Sequence, residues 1–243
     1  MNSTAAGIAP ASTTPAGTAE RAAPTTRIRP FGATLAAAGL VLGAAGNTAQ
    51  AVMTQLLGGR PETIDDMVAL ATESPTLVTA MSVTGTVALP LMALGFIAAA
   101  RLLARQARRT GRIAGTLLVL GMWGFLGLQL TGLVQIRALV DGEAGLAAAT
   151  WMQSLQEDTL LGALFALPFM AGTVLGMLVL TIGLLVRGAG VPRWIPGAWL
   201  VFIVLDFTIG AVGPVDPHWL YLLGAVGLAH HVLKDGARAW TNA

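Results

Sequence analysis

The sequence predicts an all-α membrane protein: a six-transmembrane-helix bundle with both termini cytoplasmic and short interfacial helices on the outer side. Three observations lead there. The 243 residues are 55% hydrophobic and only 11% charged, with mean hydropathy +0.72, whereas a soluble domain carries about 25% charged residues. Six apolar runs approach or exceed the roughly 20 residues that a helix needs to cross a bilayer, and none shows the two-residue alternation of a barrel strand. Arginines and carboxylates also alternate from one connection to the next. Cysteine is absent, so no disulfide framework and no thiolate site is available.

Residues 1–28 are rich in Ala, Thr, Pro, Ser and Gly. They offer too little apolar surface to offset the entropy of ordering, which predicts a disordered tail. No apolar core follows a basic start there, so the segment does not read as a secretory signal. The transmembrane domain is placed at 29–236, and residues 237–243 form a C-terminal tail. The six spans are assigned to 31–57, 75–103, 113–140, about 156–186, 194–213 and 217–233.

Arginine placement orients the chain. Arg21, Arg27 and Arg29 precede the first span. Arg101, Arg105, Arg108, Arg109 and Arg112 are read as a loop between spans two and three. Arg187 and Arg193 separate spans four and five, and Lys234 and Arg238 follow span six. The other side holds Arg60 and Arg137 but collects Glu62, Asp65, Asp66, Glu73, Asp141, Glu143, Glu157, Asp158 and Asp216. Lysine and arginine favour the cytoplasmic side, so every connection agrees with a bacterial plasma-membrane protein whose termini lie inside. The run RLLARQARR (101–109) is thus a topology signal that also meets anionic headgroups. No nucleic-acid partner is expected; the bilayer is the partner.

Two outer connections have internal order. In PETIDDMVALATES (61–74), Pro and Glu suit a first helical turn, and Ile64, Met67, Val68 and Ala71 recur at helical spacing. This predicts an interfacial helix. Residues 143–159 form a second candidate, or a lead-in to span four. Trp151, Trp194 and Trp219 fall where amphipathic rings favour the interface.

Polar residues inside the spans gather in the outer half. Asn47, Gln50 and Thr54 share a face of span one, and Thr79, Ser82 and Thr86 a face of span two. Gln129 lies in the outer third of span three, with Arg137 two turns further out. Asp206 interrupts the run VFIVLDFTIG (201–210) of span five, on one face with Gly210 and Gly213. A carboxyl inside a span is costly and faces the bundle interior. Arg137 is named as its partner.

Asn47, Gln50, Ser82, Thr86, Gln129, Arg137 and Asp206 are therefore candidates for binding a small or lipid-like, hydrophobic molecule in an outer polar pocket. An alternative is a membrane-embedded enzyme acting on a lipid or isoprenoid, in the manner of small terpene cyclases. Asp206 would be its general acid, with Glu157 or Asp158 as further catalytic carboxylates. A third reading is a structural or accessory subunit whose polar groups bond helix to helix. His218, beside Asp216, is expected in solvent. His230 and His231 point about 100° apart on a helix and cannot share one metal, so no metal and no cofactor is assigned. Gly39/Gly43 and Gly172/Gly176 mark close helix packing. There is no GxxxxGK[ST], HExxH or GxSxG pattern.

Two stretches carry a resemblance. One is the lead into span two, with Glu73-Ser74-Pro75; the other is the hinge before span five, Gly190-Val191-Pro192-Arg193-Trp194. Together they resemble a family of small six-span actinobacterial membrane proteins of unknown function. The resemblance covers most of residues 31–233. It implies a helical bundle and brings no activity with it.

Overall fold

The computed structural model describes residues 30–59, 61, 63–140, 143–156, 159–188, 190–210 and 216–239. The expected tail at 1–28 lies outside them. The described residues are overwhelmingly helical, with no strand among them.

Among the described residues, four helices are long and apolar enough to cross a membrane. They are α1 (Pro30–Leu56), α3 (Pro75–Gln106), α4 (Arg108–Val140) and α6 (Thr159–Arg187). Two shorter elements, α2 (Ile64–Glu73) and α5 (Glu143–Gln156), lie between them in the chain. The last two helices are α7 (Trp194–Thr208) and α8 (His218–Ala239).

The six larger helices close a ring. In order around it, α1 packs on α3, α3 on α4, α4 on α6, α6 on α7, α7 on α8, and α8 back on α1. Helix α3 also reaches across to α6. One end of the ring carries α2, α5, Asp206 and Asp216, with Arg137 in the last turn of α4. The other carries Arg101, Arg105, Arg108, Arg109 and Arg112.

Small residues let these helices approach. A Cβ on Gly43 would stand 2.5 Å from the Met92 backbone nitrogen, and one on Gly39 would stand 3.0 Å from Gly95. A Cβ on Gly172 would stand 2.7 Å from the Gly121 nitrogen, and one on Gly176 would stand 2.8 Å from Leu118. Both expected small-residue pairs are thus helix contacts, α1 on α3 and α6 on α4. Helix α6 carries two π-type turns, Gly162–Ala166 and Pro168–Gly172. Pro168 has no N–H to continue an α register, and the wider turn accommodates it. This stretch sets Phe165 over Gly127 and stacks Phe169 on Phe125 at 4.4 Å.

At the ring's centre is an aromatic column. Trp199 is fully buried and donates its indole N–H to the Tyr221 carbonyl at 3.0 Å. Phe96 meets Trp199 edge-on at 6.4 Å, and Phe202 lies 5.3 Å from Tyr221. Edge and tilted contacts at these spacings suit ring quadrupoles.

Helix α8 runs to Ala239, past the expected span end at 233 and into the expected tail. Three further boundaries differ from those expected. The expected arginine loop is helix: Arg101 and Arg105 end α3, Arg108, Arg109 and Arg112 begin α4, and Ala107 alone separates the two. Arginine is a good helix former and its stem follows apolar surface, so helices run past the apolar limit. Span five, expected to reach 213, stops at Thr208. Gly210 has φ +69° and donates its N–H to the Leu205 carbonyl at 2.9 Å, closing the helix; a left-handed residue there favours glycine. No atom would lie within 4 Å of a Cβ on Gly210, so it ends the helix and does not pack it. Gly213 lies outside the described residues.

The third difference concerns α2. It begins after Thr63, whose hydroxyl accepts from the Asp66 N–H at 3.1 Å while Asp66 accepts from the Thr63 N–H at 3.0 Å. This reciprocal cap, not Pro61, starts the helix. Its apolar residues Ile64, Met67, Val68 and Ala71 pack with Leu139 of α4 and Ala149 of α5. These residues form the protein-facing side of α2. The second candidate is helical over Glu143–Gln156.

Candidate functional site

The polar centre of the acidic end is built where α7 stops and α8 starts. Asp216 stands just before α8, and Pro217 supplies the fixed φ that suits a helix start. An aspartate at this position satisfies a free N–H of the first turn: Asp216 Oδ1 accepts from the His218 backbone N–H at 2.8 Å. The same oxygen lies 2.6 Å from His218 Nδ1.

Two further elements join. Gln55 of α1 donates its side-chain amide to Asp216 Oδ2 at 2.5 Å. Thr48 of α1 donates to the His218 carbonyl at 3.1 Å. Asp206, in the last turn of α7, places Oδ1 at 3.9 Å from His218 Nδ1. The His218 ring lies 5.2 Å edge-on from Phe202, so the polar centre caps the aromatic column. Asp216 is 5% exposed, while the His218 and Asp206 side chains keep 18% and 30%. A carboxylate near a helix C-terminus is disfavoured by the helix dipole, which makes a nearby imidazole a useful neighbour for Asp206.

Asp206 thus lies near the end of its helix and beside His218, which the sequence reading had put in solvent. Arg137 is exposed near the end of α4. Asp216, Gln55, Thr48 and His218 were missed as a group. The usable signal was Asp-Pro-His at a helix start, a capping pattern that fixes where the imidazole points.

The remaining candidates sit between helices. Asn47 and Ser82 are buried. Ser82 donates to the Val78 carbonyl at 3.0 Å, Thr86 to the Ser82 carbonyl at 2.8 Å, and Thr54 to the Gln50 carbonyl at 2.9 Å. These hydroxyls are satisfied by their own helices. The Gln50 amide lies against Gly85, filling the α1–α3 seam where a Cβ would stand. Gln129 is half-buried on α4. Gln135, not singled out from sequence, is 1% exposed and donates to the Ala149 carbonyl at 3.2 Å, anchoring α5. Glu157 and Asp158 lie outside the described residues.

Among the described residues, no group of three or more His, Asp and Glu side chains is placed to hold a metal ion. His230 is exposed, and the His231 ring lies near Gly190 at the arginine end. Comparison with known protein families, with curated proteins and with solved structures found no match.

Proposed function

We propose that this chain is a six-span integral protein of a bacterial plasma membrane, both termini cytoplasmic, that serves as a structural or accessory subunit. Its outer end is held shut by a polar latch. The supporting observation is the chain of contacts from Gln55 through Asp216 and His218 to Asp206. It joins α1, α7 and α8, and α7 is short for a bilayer crossing. Helix α7 has 15 residues, about 22 Å at 1.5 Å per residue, against a hydrocarbon core of about 30 Å. The hydroxyls once grouped as pocket residues bond to their own helices, which also favours this reading.

A second reading has one observation behind it. The Asp206 carboxyl keeps 30% of its surface beside a partly exposed His218, so a small or lipid-like molecule with a polar head has two groups to meet. The enzyme reading, with Asp206 as acid, asks for a cleft beside that carboxyl.

Thermal unfolding of the purified full chain separates the readings. For a latch, Gln55→Leu, His218→Ala and Asp206→Asn each lower the midpoint. For a binding site, Asp206→Asn leaves the midpoint of the lipid-free protein unchanged and abolishes stabilisation by added membrane lipid extract.

A further inference from the structure

At the arginine end a cleft of about 500 Å3 opens between α3 and α4. Its floor is the tightest part of the helical hairpin. A Cβ on Gly111 would stand 2.5 Å from the Ala104 nitrogen, so the two backbones nearly touch, and the side chains on either side leave a trough. Ile97 and Leu120 line its apolar part, one to two turns along the helices from Arg101 and Arg112, which also line it. Both arginines are exposed. From Arg112 to Leu120 the helix rises roughly 12 Å, at 1.5 Å per residue.

We propose that this cleft holds one anionic phospholipid, its phosphate between Arg101 and Arg112 and part of an acyl chain along the trough toward Ile97 and Leu120. Charge complementarity selects the occupant. Guanidinium forks match phosphate oxygens in bidentate fashion, and both arginines line the same cleft as the apolar residues that would meet an acyl chain. Basic pockets between helices on the cytoplasmic side favour anionic headgroups. A zwitterionic lipid carries its own cation and gains less. The inference rests on the proposed topology, in which the arginine end is cytoplasmic. Outside labelling of Gln106→Cys would remove that topology while leaving the lipid result readable.

The test uses the full chain in detergent with phosphatidylglycerol or phosphatidylcholine added, and native mass spectrometry as the readout of bound lipid. One phosphatidylglycerol is retained in preference to phosphatidylcholine. Removing two surface-facing cations from an anionic headgroup weakens binding by roughly thirtyfold, so R101Q/R112Q loses the retained lipid. The control R108Q/R109Q, with the same loss of charge outside the cleft, keeps it. Thr116→Trp, which fills the cleft at an exposed position, also loses it and serves if the arginine variant fails to fold. Equal retention of the two lipids, or equal loss in both arginine variants, overturns the proposal in favour of diffuse surface attraction.

Discussion

The Nδ1 atom of His218 lies 3.9 Å from a carboxylate oxygen of Asp206, across the junction where α7 ends and α8 begins. The same atom is 2.6 Å from Asp216, which the backbone holds as the cap of α8. One imidazole therefore faces two carboxylates contributed by different sides of the junction. Asp206 marks the last turn of a short helix, and the latch gives that turn a tertiary anchor.

The latch makes a ranking of variants. His218→Ala leaves Asp216, only 5% exposed, with fewer donors, and an under-satisfied buried acceptor costs about 1–3 kcal/mol. Asp206→Ala costs less, about 0.2–1 kcal/mol, because an exposed pair is screened by water. A double-mutant cycle of these two positions by thermal unfolding in detergent yields a favourable coupling. Additive effects would show that the 3.9 Å approach contributes nothing.

Asp216→Ala is the most damaging of the three. It removes the α8 cap, worth about 1 kcal/mol, together with the Gln55 and His218 contacts. Asp216→Asn keeps the cap and recovers part of the loss. Equal midpoints for the Ala and Asn variants would contradict the capping role.

The glycine seam predicts a sharp contrast within one residue type. Gly43→Leu drives a side chain into the Met92 backbone, 2.5 Å from where its Cβ would stand, and overpacking of this kind costs about 1–3 kcal/mol or more. Gly132→Ala has open space within 4 Å and leaves stability essentially unchanged. Size-exclusion profiles and melting of both variants check this.

Gln135→Leu removes the side-chain donor to Ala149 and leaves that carbonyl without it, a loss of about 1 kcal/mol. The effect is local. Hydrogen exchange rises over residues 143–156 and stays at the wild-type level in α3. Uniform loss of protection would place Gln135 in the global fold instead.

The helices were legible because each is a long apolar run, and 3.6-residue periodicity marked α2 within its connection. Their ends were less so. Arginine can be either topology signal or helix, and composition alone does not say that Ala107 is the whole of a connection. The end of α7 depended on the left-handed conformation of Gly210, although a glycine near a helix end is a common stop. Depth along a helix names Arg137 as the partner of Asp206; the structure places His218 beside that carboxylate, which depth alone does not indicate. His218 is only 12 residues from Asp206, yet apolar periodicity does not encode that the two side chains meet. Ser82 and Thr86 were correctly seen to share a face; their hydroxyls spend themselves on their own helix.

The absence of native cysteine permits a clean topology measurement on the intact cell membrane. Single cysteines at the exposed positions Thr63, Gln106, Pro192 and Thr208 bracket the proposed crossings of α3, α4, α6 and α7. Six spans predict that Thr63→Cys and Thr208→Cys react with an impermeant maleimide from outside, and that Gln106→Cys and Pro192→Cys react only after permeabilisation. Labelling of Thr208→Cys and Pro192→Cys from the same side would mean that α7 does not cross, and would contradict the six-span account.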